Sequence, residues 1–186
     1  MTYVSRAGKK LEYALVSTKF NPSDLICADF GSSTGGFVDC LLQHGAKKVY
    51  AIETGYGVLD WKLRTNKNVV IMEKTNAMHV TLPEKVDFIS IDTSWTKLEN
   101  IIPNALNNLT QNGHIIALIK PHYEAEKHML YRGKLKEEFI LDVLNNVREK
   151  LRKFQLEILS EIESPILGEK GKNKEFLIYM KGQNRP

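Results

Sequence analysis

Cysteine is scarce in this chain of 186 residues, which has only Cys27 and Cys40. Two cysteines cannot build a disulfide framework. Neither stands in a Cys-x-x-Cys or Cys/His ligand spacing, which excludes disulfide-rich secreted folds and zinc modules. The five histidines show no ligand spacing either, so no metal is expected. Long apolar runs are also missing. Ile115-Ile116-Ala117-Leu118-Ile119 is among the longest, far short of the ~18 residues of a membrane span. The opening Met-Thr-Tyr-Val-Ser-Arg-Ala-Gly-Lys-Lys has no apolar stretch of a secretory signal, so a reducing cytoplasm and no membrane are expected. Finally, there is no Gly-x-Gly-x-x-Gly turn and no Gly-Lys-Ser/Thr loop, which argues against dinucleotide and nucleoside triphosphate binding.

What is present suits one globular domain spanning 1–186: 42% hydrophobic and 26% charged residues, without repeats or low-complexity tracts. Lys and Arg outnumber Asp and Glu by 26 to 22, and the resulting +4 mainly reports solubility and non-specific association.

Residues 5–16 place Leu11, Ala14 and Leu15 on one face of an amphipathic helix. The apolar runs 25–30, 49–52, 69–72, 86–91 and 114–119 read as buried strands of a parallel sheet. Helices fit between them, after Gly36 and near 98–109. Residues 137–154 repeat Phe139, Val143, Val147 and Leu151 every four positions, which predicts a long helix. Residues 156–162 and 176–180 alternate apolar with polar residues, as an antiparallel pair at a sheet edge does. The expected fold is therefore α/β: a Rossmann-like, seven-stranded, mostly parallel sheet with helices on both faces and a C-terminal antiparallel hairpin. Ligands of such sheets bind at the carboxyl ends of the strands.

The chemistry-bearing residues fall at those ends. Asp29 closes the first strand and is followed by Gly31-Ser32-Ser33-Thr34-Gly35-Gly36-Phe37, while Glu53 closes the second. Glycines let a ligand approach the backbone, and a strand-final acid accepts hydrogen bonds from ribose hydroxyls. A nucleoside site with an acid and no pyrophosphate cradle suits S-adenosylmethionine. Asp92 and Lys120 close two further strands, which adjacent parallel pairing would bring side by side. Lys120 ends a wholly apolar strand, where an unpartnered charge is costly. Lys10 offers a second cation and Glu175 a second carboxylate.

The segments Tyr3-Val4-Ser5-Arg6-Ala7-Gly8-Lys9-Lys10-Leu11, Asp29 to Phe37, Glu53-Thr54-Gly55-Tyr56-Gly57, Glu73-Lys74-Thr75-Asn76-Ala77, Leu118-Ile119-Lys120-Pro121-His122-Tyr123-Glu124 and Ser164-Pro165-Ile166-Leu167-Gly168 closely resemble the TlyA (hemolysin A) group of FtsJ-type ribose 2′-O-methyltransferases. The resemblance runs over nearly the whole chain. It implies a catalytic Lys10, Asp92, Lys120 and Glu175 tetrad, with Lys120 as base for an RNA 2′-hydroxyl. S-adenosylmethionine would be held by Asp29, Gly31, Ser33, Gly35, Gly36, Phe37, Glu53, Asn76 and Asp92, with Asn76 at the adenine edge. The implied partner is RNA, ribosomal RNA or ribosomal subunits, met by Arg6, Lys9, Arg132, Lys170, Lys172 and Lys174, with Tyr56, Trp95, Tyr123 and Tyr131 as aromatics able to stack a base. Two departures stand out: Glu53-Thr54 where the family has Asp-Val, and Thr93-Ser94-Trp95 where it has Val-Ser-Phe. Members commonly begin with an S4-type RNA-binding domain, and this chain is expected to begin at the methyltransferase itself, as a monomer or weak homodimer. A ribosome-associated binding module needing a partner for targeting is the alternative. The membrane activity suggested by the hemolysin name finds no amphipathic membrane helix in the sequence.

Overall fold

Successive residues of the central strands are buried on opposite faces, so each apolar run serves two cores at once. The structure, a computed structural model, describes residues 2–168 and 172–183. Its elements are α1 (Ala7–Thr18), β1 (Ile26–Phe30), α2 (Gly36–Gln43), β2 (Lys48–Ile52), α3 (Trp61–Arg64), β3 (Val69–Met72), β4 (Val86–Ile91), α4 (Leu98–Asn108), β5 (Leu109–Ile119), α5 (Pro121–Glu124), a small hairpin of β6 (Leu130–Tyr131) and β7 (Lys134–Leu135), α6 (Ile140–Leu151), β8 (Leu156–Glu163) and β9 (Phe176–Gly182).

On one face of the sheet, Ala28, Phe30, Ile89 and Ile91 pack with Leu98, Ile101 and Ile102 of α4 and Leu144, Val147 and Leu151 of α6. On the other, Cys27, Val49, Ala51 and Phe88 pack with Leu11 and Leu15 of α1, Phe37 and Leu41 of α2 and Leu63 of α3. Both cysteines are free and buried. No helix among the described residues is long and apolar enough to cross a membrane.

The seven strands lie in the order β3-β2-β1-β4-β5-β9-β8. β1 pairs in parallel with both β2 and β4, β4 with β5, and β9 runs antiparallel between β5 and β8. The expected fold is thus the one observed, with the antiparallel β8–β9 pair closing one edge of the sheet and two local differences elsewhere. β5 starts at Leu109 rather than at 114, because its polar first half pairs at Val86 and resumes at Phe88 after a register shift. The long helix expected over 137–154 is a 3-10 turn at Glu137–Phe139 followed by α6, which ends at Leu151.

Sequence order reverses between β1 and β4, so their carboxyl ends part to leave a crevice. Below it, polar side chains secure the chain where apolar packing cannot. Asn108, 5% exposed, ends α4 and accepts from the Leu82 N–H at 2.8 Å while donating to the Val80 carbonyl at 3.0 Å. Asn108→Ala strands both backbone groups in a buried place and is expected to destabilise the fold by about 2–3 kcal/mol, read as a lowered urea midpoint without a change in slope.

Candidate active site

Gly31 follows β1 with φ +89°, a left-handed conformation that glycine adopts freely. A Cβ there would stand 2.7 Å from the main-chain oxygen of Asp92. The residue is glycine because β1 and β4 approach this closely, a reason the sequence did not disclose. Gly36 has a similar origin: its Cβ would run into Ser5 Oγ and stand 2.9 Å from the Gly8 nitrogen, where α1 crosses α2. That crossing seats α1 so that Lys10 enters the site. Gly35, also at positive φ, is the N-cap of α2, and Phe37 belongs to the core behind it.

Asp29 is almost wholly buried, and its Oδ1 accepts from Ser90 Oγ at 2.7 Å. Burial, aided by the charges of Asp92 and Glu53 and opposed by the Ser90 bond, pushes its carboxyl up to about 8. Glu53 stands at the end of β2 with both oxygens engaged. Oε2 accepts from Ser33 N–H at 2.9 Å, and Oε1 from Gly55 N–H at 2.8 Å and Thr54 Oγ1 at 3.1 Å. The carboxylate is thus held in one orientation, and Oε2 retains accepting capacity for a ligand hydroxyl.

The four residues of the expected tetrad come together as two ion pairs. Lys10 Nζ meets Glu175 Oε2 at 2.5 Å, with both side chains buried. Lys120 Nζ meets Asp92 Oδ1 at 2.6 Å and donates to the Thr93 carbonyl at 3.1 Å. The Asp92 contact lacks hydrogen-bond alignment, leaving Oδ1 with accepting capacity unused. A buried pair such as Lys10–Glu175 gains little net stability, since desolvation offsets attraction, yet removing one partner costs about 3–5 kcal/mol.

These pairs line one lobe of a cleft, a cavity of about 430 Å³ that also reaches Arg6, Asp29, Ser33, Trp95 and Tyr123. A second lobe of about 310 Å³ is lined by Glu53, Asn76, Ala77 and Met78, and the two share Gly31, Ser33, Asp92, Ser94 and Trp95. Asn76 turns its Oδ1 onto the Met78 N–H at 2.9 Å, leaving its amide NH₂ for a ligand. Trp95 is 79% exposed, and its ring lies 4.8 Å from that of Tyr123, so it belongs to the cleft's rim rather than to a core.

Glu124 completes the architecture, and the sequence offered no sign of its role beyond its place in the Lys120 motif. Its buried Oε1 accepts from the Leu98 N–H at 2.8 Å, capping α4, whose own N-cap, Lys97, makes no side-chain bond. The loop after β5 is thereby tied to the loop after β4, and the same two loops carry the Asp92–Lys120 pair and the Trp95–Tyr123 contact.

Not every expected residue joins the cleft. Lys9 is exposed on α1 and does not line it. Arg132 lies on the β6–β7 turn and Lys172 is exposed beyond it. Lys174 is not a free cation, since Glu137 and Glu163 stand 3.4 Å and 3.8 Å from its Nζ. Lys170 lies outside the described residues.

Two expected outcomes follow from this geometry. Because Asp29 shifts from an ordinary 3.8 to about 8 on folding, the folded chain holds a proton that the unfolded chain releases. Its stabilising effect is complete below 3.8 and is lost as pH rises to about 8. Asp29→Asn should flatten this part of the stability–pH profile in urea titrations across that window. Separately, Glu124→Ala should lower turnover about tenfold through misplacement of the two loops, whereas Glu124→Gln keeps the acceptor and most of the rate; steady-state kinetics of both variants check this.

A family model described as FtsJ-like methyltransferase matches residues 3–182. Hemolysin A of Brachyspira hyodysenteriae is 41% identical over 190 residues, covering 95% of this chain and 76% of that protein. The 16S/23S rRNA (cytidine-2′-O)-methyltransferase TlyA of Mycobacterium tuberculosis is 32% identical over 191 residues, covering 97% of this chain and 69% of its own length. Among solved structures, a candidate hemolysin of Streptococcus thermophilus matches with a TM-score of 0.95 at 36% identity, covering 100% of this chain and 69% of that one. The family model spans nearly the whole length, and the chain belongs to the FtsJ-like methyltransferase family.

Proposed function

We propose that this chain is an S-adenosylmethionine-dependent RNA 2′-O-ribose methyltransferase whose substrate is ribosomal RNA, alone or in ribosomal subunits of the cytoplasm. The observation that carries this reading is the convergence of Lys10–Glu175 and Asp92–Lys120 beside a nucleoside-shaped crevice. The TlyA relative, an rRNA (cytidine-2′-O)-methyltransferase, supports the choice of substrate.

The residues fit the cofactor. Asp29 and the Gly31–Gly36 turn border the lobe suited to its amino-acid end, Glu53 offers an acceptor for a ribose hydroxyl, and Asn76 with Ala77 and Met78 walls the lobe suited to adenine. Three acids, Asp29, Glu53 and Asp92, surround one crevice, which suits a cationic ligand. When bound, the cofactor supplies a methyl group on a sulfonium.

Lys120 is the base. Asp92 Oδ1 and the Thr93 carbonyl occupy two directions around Nζ, which leaves a third for the target hydroxyl. Lys120 Nζ would take the proton of the ribose hydroxyl and Asp92 would stabilise the ammonium so formed, while the cofactor would supply the methyl group and keep the thioether left behind. Glu175, held by Lys10, orients the hydroxyl from the other side. Trp95 over Tyr123 offers a stacking surface for the target base, and Arg6 a cation for its phosphate. Lys9, Arg132 and Lys172 would extend the contact along the RNA.

The test is transfer of labelled methyl from S-adenosylmethionine to ribosomal RNA and to ribosomal subunits. Lys120→Ala is expected to reduce transfer by about 10³-fold with cofactor affinity unchanged by calorimetry. Absence of cofactor binding by the unaltered chain, or full activity of the variant, overturns the reading.

A further inference from the structure

A second concave surface lies apart from the cleft, built on the β6–β7 hairpin. It encloses about 470 Å³ and is lined by Tyr131, Lys134, Lys136, Leu167, Lys172 and Lys174, with Glu137 as its acid. Lys174 already answers Glu137 and Glu163. Among the described residues, Arg132, Lys134 and Lys172 are exposed and pair with no carboxylate, so the surface carries unneutralised positive charge. Tyr131 is 64% exposed and Leu167 43%, so the groove presents an aromatic ring and an aliphatic side chain beside its cations.

The hairpin is built to hold its shape. Arg132 and Gly133 have φ +49° and +76°, the paired left-handed conformations of a tight two-residue turn. Asn173, 3% exposed, fastens it from below, accepting from Leu135 N–H at 3.0 Å and donating to the Gly133 carbonyl at 3.3 Å. The guanidinium of Arg132 lies 5.4 Å from the Tyr131 ring centroid.

The fastening also reaches the active site. The Asn173 carbonyl accepts from Gly168 N–H at 2.9 Å, and Gly168 is a residue of the catalytic cleft. Two residues further along is Glu175, whose carbonyl accepts from Ser164 N–H at 2.8 Å. The hairpin and the tetrad's carboxylate are thus held by the same short stretch of chain.

We propose that this groove is a second nucleotide subsite, which takes single-stranded RNA flanking the target ribose, with a base stacked on Tyr131 and phosphates met by Arg132, Lys134 and Lys172. An aromatic face beside unpaired cations is the chemistry of sequence-tolerant single-strand binding, whereas a protein partner of this surface would have to be acidic and apolar. The proposal rests on the RNA-modifying reading above and adds to its outlying cations a formed groove, with Tyr131 and Lys134, for the strand beyond the target nucleotide. None of the three basic residues or Tyr131 belongs to the catalytic or cofactor machinery.

The test uses the full chain and a short fluorescein-labelled single-stranded RNA, followed by anisotropy at several salt concentrations. Tyr131→Ala is expected to weaken binding roughly tenfold, the effect of losing one stacked base. Lys134→Ala with Lys172→Ala should make the dependence of log affinity on log salt shallower by about 0.7 for each phosphate no longer neutralised. Cofactor affinity and the circular dichroism spectrum should match the unaltered chain in every variant. In methyl transfer the KM for RNA should rise while kcat holds. Unchanged RNA affinity and salt slope in folded variants overturn the subsite, even where the unaltered chain methylates RNA normally. The same holds if these variants lose only the capture of an acidic protein. Loss of RNA affinity in a chain that shows no methyl transfer supports the subsite and counts against the catalytic reading alone.

Discussion

The closeness of two strand ends governs this molecule. At the carboxyl end of β1 the backbone comes so near to β4 that no side chain fits at Gly31, and the Asp92 N–H donates to the Phe30 carbonyl at 3.0 Å. Beyond that bond the two chains diverge, because β1 leads to a helix on one face of the sheet and β4 to a helix on the other. The crevice between them places Asp29 and Asp92 within electrostatic reach of each other, and Glu53 joins them from β2. A cluster of three acids in a partly desolvated place is unfavourable for the empty chain. Protonation of Asp29 relieves part of that repulsion, and a cationic ligand relieves more.

The loops above the crevice have little apolar surface to hold them, and buried polar side chains do the work of a core. Glu124 ties the loop after β5 to the start of α4. Asn173 ties the chain before β9 to the small hairpin. Asp39 of α2, 2% exposed, accepts from Val4 N–H at 2.9 Å and so fixes the segment that leads into α1 and Lys10. In each case a side chain satisfies a distant backbone N–H that would otherwise be orphaned, which links loops that share no secondary structure. Precision at the tetrad therefore depends on hydrogen bonds one step removed from it.

Much of this was legible in the sequence, for reasons that differ by element. β3 and β4 were readable to the residue because β3 is an uninterrupted apolar run and β4 an apolar run broken only by Asp87 and Ser90, both with polar neighbours. The first half of β5 was hidden, since Thr110, Gln111 and Asn112 break the apolar pattern at the sheet's rim. α6 was overextended because Phe139 and Phe154 continue its period, although one precedes the helix in a 3-10 turn and the other follows it. Asp92 and Lys120 stood out as charges that end apolar strands, and parallel pairing made their meeting a geometric consequence. Glu124, Asn173 and Asp39 left no such trace, because a buried carboxylate or amide that caps a distant helix or loop looks like any polar residue in a line of text.

By itself the sequence determined which segments are buried strands, which faces of helices turn inward, and which charged residues stand at the strand ends where ligands bind. Periodicity carries that information because burial of a face is a local property of the chain. Only the tertiary structure decided the partners. Lys10 pairs with Glu175 across 165 residues, Lys174 is neutralised by Glu137 and Glu163, and Trp95 lies on the rim of the cleft. Gly31 leaves room for the Asp92 backbone, and Gly36 for Ser5 and Gly8 at the start of α1. A charge or a ring announces its chemistry in the sequence, but what it touches depends on how the sheet brings distant segments together.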